Sequence, residues 1–280
     1  MFNDRRNFFG GEGVPRYEAI QTSRGRAFVV RNALAYWRRE GRGGVLVTPE
    51  RTPESSSDGG GIGVSWRTYE RGRTVTETAS ADYGQVLTIR SGSMKVVIHG
   101  DGSTTERTLT KDGAVFIGKG VSYEWEALTA VELVSARTPA SHYPENNAAE
   151  GSAVFIDNIW ETGKDYHMYF VGHFIPPGVG AHSLDIEAKA QHSTLDNPAS
   201  MGRTVPSTSQ YGSSMVMLVE GTYRLSLQLE PDEEFTTYEL RAGDVIFWDN
   251  RIPHTADADP GAKQLFFRTP SLQPNTTPVA

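Results

Sequence analysis

Along most of the chain the apolar positions come in short runs and not at helical spacing. Val, Ile, Leu, Phe and Tyr gather in stretches of five to eight residues, separated by Gly, Pro, Asn or Asp. Nine such runs stand out, at 86–90, 94–100, 114–118, 131–136, 168–175, 215–221, 223–229, 244–248 and 264–268. β-Branched and aromatic side chains pack well on a pleated surface, so each run predicts a strand. Many short strands at even spacing predict a sandwich or barrel. A helical pattern is confined to 31–40, RNALAYWRRE, where good helix formers run into Gly41 and the Gly43-Gly44 pair. Residues 48–63 are rich in Pro, Ser and Gly and predict an exposed, mobile loop. PASHYPENNAAEG at 139–151 reads as a linker, and SLQPNTTPVA as a draped or disordered tail.

The β pattern occurs twice. One copy reads VLTIRSGSMKVVIHGDG, a charged hairpin, then DGAVFIGKGVSYEWEA; the other reads MVMLVEGTYRLSLQLEP, a charged hairpin, then AGDVIFWDNRIPHTADA. Gly92 matches Gly221 at an offset of 129, and Gly113 matches Gly243 at 130. Each glycine is expected where a strand must turn with positive φ. The duplication divides the chain into an arm, helix and loop (1–63), a first barrel (64–138), a linker (139–151), a second barrel (152–272) and a tail (273–280).

Gly243-Asp244-Val245 followed by His254, eleven residues after the glycine, resembles the second motif of the cupin superfamily. The resemblance implies an all-β protein: two tandem antiparallel cupin barrels (double-stranded β-helices) with a short N-terminal helix and an arm. The arm is expected to cross onto the other barrel or onto a partner subunit. Family metal sites use H-x-H and then Glu, ahead of the first motif's last glycine. Those positions fall on Thr78, Ser80 and Gln85 in the first copy, and on Ser207, Ser209 and Ser214 in the second. The terminal histidine position of the first copy falls on Glu124, or on Tyr123 with one gap. No transition metal is therefore expected in the first barrel, which reads as structural, and the mouth of the second is the candidate site.

In that barrel His254 fits a metal ligand, a general base or a hydrogen-bond donor. Pro177-Gly178 followed by His182 resembles the turn that precedes the family's first metal histidine, which would make 183–213 an insertion. His182, Glu187 and His192 could then join His254 around a divalent metal, with imidazole and carboxylate suiting Fe, Mn, Ni or Zn. Without a metal, His254 would be the acid/base, and Tyr211 or Arg268 its electrostatic partner. Arg268 could grip a carboxylate in a bidentate fashion, and Trp248 could form a pocket wall. His167 and His173 differ by six, so on a strand they would share a face. WDNR-x-x-H with a downstream Arg is also similar to Fe(II)/2-oxoglutarate oxygenases, with His99-Gly100-Asp101, or else His182, Asp185 and His254, as ligands.

Composition narrows the functions. There is no cysteine, so neither disulfides nor thiolate metal ligands are available. Net charge is −7 and no basic stripe appears, which argues against nucleic acid. The start MFNDRRNFFGGEG has no long apolar stretch and no run is long enough to span a bilayer, so a cytoplasmic setting is expected, with neither signal peptide nor membrane partner. The favoured reading is a cupin-type enzyme acting on a small organic metabolite, of oxygenase, isomerase, lyase or cyclase type, and the resemblance implies a homodimer or a monomer that mimics one. The alternatives are a metal-free bicupin that binds a sugar or metabolite without catalysis, and a 2-oxoglutarate-dependent oxygenase.

Overall fold

A computed structural model describes residues 16–47, 61–79, 84–100, 103–138, 153–164, 168–192 and 212–271. Most of the 48–63 loop, the linker, the tail, Tyr211 and His167 lie outside the described residues. The described chain is almost entirely antiparallel sheet, with one helix, α1 (Ala33–Glu40). That helix falls inside the predicted span; it buries Ala33, Leu34 and Trp37 and ends at Gly41.

The first barrel pairs a six-stranded with a four-stranded sheet. The larger has the order β12 (Ala153–Ile156), β9 (Ala114–Ile117), β6 (Gln85–Ser91), β11 (Val131–Arg137), β4 (Ile62–Tyr69), β3 (Arg42–Val47). The smaller has β5 (Thr74–Thr78), β10 (Ser122–Ala127), β7 (Ser93–Gly100), β8 (Ser103–Thr110). The second barrel repeats this plan. Its large sheet is β1 (Arg16–Ile20), β2 (Ala27–Arg31), β18 (Val245–Asp249), β15 (Ser213–Glu220), β20 (Lys263–Thr269), β14 (Glu187–His192), β13 (Tyr169–Val171). Its small sheet is β17 (Thr236–Arg241), β16 (Thr222–Leu227), β19 (His254–Ala258).

The two halves exchange strands. The N-terminal arm (β1 and β2) extends the second barrel's sheet through β18, and β12, which follows the linker, closes the edge of the first barrel's sheet against β9. The arm thus crosses onto the other barrel of its own chain. Alternation along each strand then builds three cores. One fills the first barrel and includes Leu87, Ile89, Val96, Tyr123 and Trp125. Another fills the second and includes Val216, Leu218, Leu225, Ile246 and Trp248. The third lies where the two large sheets meet back to back, and joins Trp66, Phe116 and Val134 to Met215, Phe247 and Phe267. Each fully buried large apolar side chain there contributes about 1.5–3 kcal/mol, so the barrels are one packed unit.

Register fixes the correspondence of the copies more closely than spacing does. Gly92 and Gly221 turn the β6–β7 and β15–β16 hairpins at φ of 81° and 80°, as expected. The second glycine pair is offset by one residue. Positive φ falls on Gly243 in the second copy but on Asp112 in the first. Asp112 N–H donates to Ile89 O and Ile89 N–H to Gly113 O; Gly243 N–H donates to Leu218 O and Leu218 N–H to Asp244 O. Asp112 therefore corresponds to Gly243, and Gly113 to Asp244. Beyond this turn the offset is 131, which places Tyr123 at the position of His254; opposite them Ile98 corresponds to Leu227.

Two local expectations change. The strand predicted at 168–175 stops at Val171, because Gly172 opens a turn held by Ile175 N–H on Gly172 O. His173 is therefore a loop residue and not a strand partner of His167. Conversely, 187–192 is no insertion loop: β14 is a mostly buried strand paired with β20.

Candidate functional site

Cross-strand partners share a face, so one row of inward positions can be read across the second barrel's large sheet. Glu187 lies opposite Arg268, Arg268 opposite Ser214, and Ser214 opposite Trp248. Glu187, fully buried, holds Arg268 Nη2 at 2.8 Å from Oε1 and 2.6 Å from Oε2. Burial pulls the Arg268 guanidinium down, but the Glu187 charge more than offsets this and keeps it above its usual value. The Ser271 hydroxyl bridges onward. It accepts from His173 N–H at 2.8 Å and lies 2.9 Å from His173 Nδ1 and 3.4 Å from Glu187 Oε1. His173 is held below the usual imidazole range, chiefly by burial, with Glu187 opposing and Arg268 and His182 adding to the depression.

His254 opens β19 on the inward face, opposite Leu227, with its ring 5.2 Å from that of Trp248. Its Nδ1–H donates to Ile252 O at 3.0 Å, so in the neutral ring the basic nitrogen is Nε2. Two buried donors on this inward row, Trp248 Nε1 and Arg268 Nε, have no hydrogen-bond partner among the described residues. Ser214, at the family's glutamate position, donates to Asn250 Oδ1 at 2.6 Å.

The structure gathers the predicted residues selectively. His182 and Glu187 lie close enough to His173 to shift its titration, and Arg268 joins them. His192 does not join. It sits five positions along β14 from Glu187, beside Lys263, and alternation turns it to the opposite face. Glu187 is committed to Arg268. Among the described residues no three His, Asp or Glu side chains converge as metal ligands. The set His182, Glu187, His192 and His254 therefore does not fit a metal, and neither does His182, Asp185 and His254. Asp185 is buried and faces Lys119 Nζ of the first barrel at 3.9 Å. His99, on β7, lies beside Glu124 at 3.5 Å in the other barrel.

The first barrel is not merely packed. Its mouth holds a cavity of about 340 Å³. Here Tyr123 O–H donates to Glu77 Oε2 at 2.5 Å and accepts from Gln85 Nε2 at 2.5 Å. Burial, and then the Glu77 carboxylate, push the Tyr123 phenol far above its usual value, so it stays a donor. Tyr123 and Gln85 occupy the family's histidine and glutamate positions, so a hydrogen-bonded chain stands where ligands would. The sequence assigned this barrel no site; the signal was there in Gln85 and in the one-gap alternative that selects Tyr123.

Two tandem barrels, each with one large and one small antiparallel sheet in the same strand order, define the class: the chain has the cupin fold, duplicated. No protein-family model matches the sequence and no curated protein does. Solved structures do. Protein YlbA from Escherichia coli is similar at a TM-score of 0.57 and 13% identity, over 92% of this chain and 96% of that one. The 11S globulin from Wrightia tinctoria, described with an auxin binding site, gives 0.56 and 8%, over 92% and 82%. The Lactobacillus farciminis oxalate decarboxylase–formate complex gives 0.50 and 9%, over 92% and 84%. At these identities the likeness shows the fold alone, and the fold hosts both an oxalate decarboxylase and an 11S globulin. Among the described residues no helix is long and apolar enough to cross a membrane.

Proposed function

We propose that the second barrel binds a small organic metabolite through a carbonyl or carboxylate oxygen, and that His254 carries out acid–base chemistry on it without a protein-ligated metal. The observation that carries this reading is the pair of buried, unpartnered donors, Trp248 Nε1 and Arg268 Nε, on the row that faces the His254 strand. A buried donor left unmade costs about 1–3 kcal/mol, and an oxygen-bearing ligand between these residues would recover it. Glu187 fixes the Arg268 head from the far side, so the guanidinium is oriented before a ligand arrives. His254 Nε2 would then be the group that takes or returns a proton.

Calorimetry with pyruvate, malonate and acetate tests the site. Trp248→Phe keeps the aromatic bulk and removes the N–H, and is expected to weaken binding of whichever acid the wild type holds by roughly ten-fold. Unchanged affinity in that variant, or no binding of any of the three, overturns the reading. Stoichiometric Fe, Mn, Ni, Co or Zn in protein purified without chelator would contradict its metal-free form. A non-catalytic binding role is the second reading, favoured by Ser214, which spends its hydroxyl on Asn250 where the family pattern has a ligand. Under that reading His254→Gln leaves the protein's biological output intact, whereas acid–base catalysis predicts its loss with binding retained.

A further inference from the structure

Inward positions of a small barrel are ordinarily filled by bulky side chains. In the second barrel Phe266 does this, packed against the core with its ring 6.2 Å from that of Trp248. The first barrel departs from the rule. Ser135 lies opposite Leu87 as Phe266 lies opposite Val216, so Ser135 stands in the place of Phe266. Its partner on the other side is a second serine, Ser65 on β4. Cross-strand partners share a face, and both serines line the 340 Å³ cavity. Two small hydroxyl residues thus stand where an aromatic ring would fill the barrel.

The Gln85–Tyr123–Glu77 chain on the same cavity wall has a fixed polarity. A carboxylate only accepts, so Tyr123 spends its one O–H on Glu77 and must itself accept from the Gln85 amide N–H. This orients the amide, and the two oxygens left over, Glu77 Oε1 and Gln85 Oε1, are both acceptors. Arg67, also in the lining, can only donate, and it hydrogen-bonds to the Tyr69 hydroxyl. A ligand that suits these walls needs donors at one end, partners for two hydroxyls in the middle and acceptors at the other end. The charges of Glu77 and Arg67 act on the Tyr69 phenol in opposite senses, and Arg137 already interacts within the protein. Charge therefore selects neither an anion nor a cation.

We propose that this cavity is a second ligand site, independent of the one in the second barrel, and that it takes a neutral monosaccharide ring. The sugar hydroxyls would donate to Glu77 Oε1 and Gln85 Oε1, exchange hydrogen bonds with Ser65 and Ser135, and accept from Arg67. The Tyr69 ring, backed by buried Trp125 with centroids 4.2 Å apart, offers a flat apolar surface to the C–H face of the sugar. At 340 Å³ the cavity lies at the lower end of small-molecule pockets, which run from about 300 to 1,000 Å³, and this suits one ring and not a chain of them.

Calorimetry on the full chain with D-glucose, D-galactose and D-mannose is the test, with tetrahydropyran as the control that keeps the ring and lacks the hydroxyls. Binding of at least one hexose is expected, and none of tetrahydropyran. Glu77→Ala should weaken that hexose by roughly ten-fold. Ser135→Phe installs the second barrel's residue and should abolish binding by filling the cavity, while Trp248→Phe should leave it unaffected. Because Ser135→Phe can fail to fold, Glu77→Ala, on the largely exposed strand β5 and checked by circular dichroism, carries the test independently. Undiminished hexose binding in Glu77→Ala or in folded Ser135→Phe, its loss in Trp248→Phe, equal affinity for tetrahydropyran, or no binding of any hexose overturns the proposal.

Discussion

Replacing Glu187 by Gln removes one charge and almost no volume from the most enclosed ion pair in the second barrel. The Glu187 side chain is fully buried and that of Arg268 is 27% exposed, with oxygen–nitrogen separations of 2.6 and 2.8 Å. Breaking a buried pair costs about 3–5 kcal/mol, because the surviving charge loses its partner but not its desolvation penalty. Water reaches part of the guanidinium, which lowers the expected loss to about 2–3 kcal/mol. Removing both charges with Glu187→Leu/Arg268→Met should recover most of it, since no charge is then left stranded. Urea denaturation at pH 7.5, followed by tryptophan fluorescence, reads both variants. A loss below about 0.5 kcal/mol in Glu187→Gln, or a double variant as unstable as the single, would refute the reasoning.

Other consequences follow from the same contacts. Lys119 and Asp185, both buried, meet at 3.9 Å between the barrels; a double-mutant cycle with Lys119→Met and Asp185→Leu should give a coupling of about 1–3 kcal/mol in urea denaturation. Phe247 stacks on Phe28 at 5.0 Å in the core shared by the two large sheets, so Phe247→Ala should cost about 3–5 kcal/mol by thermal or urea unfolding. His173 is held below the ordinary imidazole value of 6.5, mainly by burial. The unfolded chain therefore binds this proton first as pH falls. Stability should drop from pH 6.5 downward and level off once the folded-state value is passed. His173→Asn should flatten that segment of the stability–pH curve.

The architecture was legible because duplication leaves paired glycines with paired strands around them. Gly92 and Gly221 carried the repeat correctly, since both need positive φ. Gly113 and Gly243 misled by one residue, because Asp tolerates the left-handed region and Asp112 takes Gly243's place there. That slip left the position of His254 shared between Glu124 and Tyr123 in the first copy, and the register selects Tyr123. The crossing of the arm onto the second barrel was expected from the resemblance; the return of β12 to the first barrel was not, because edge pairing depends on which sheets meet and no local pattern records it. His254 was singled out by motif spacing, but the strand it opens, β19, carries no apolar run that would have marked it. Its neighbours Trp248, Arg268 and Glu187 come together by cross-strand register, which a linear spacing rule does not contain. His192 was mistaken for a site residue for the same reason, since strand alternation turns it away from Glu187.

The central claim is that the inward row of the second barrel holds an oxygen-bearing organic ligand against Trp248 and Arg268. A crystal structure of the protein soaked with pyruvate, malonate and acetate in turn tests it most directly. The account predicts density for one acid, with an oxygen within about 3.2 Å of Trp248 Nε1 or Arg268 Nε and the ligand reaching toward His254. Density for none of the three there, with waters alone on both donors, would contradict it.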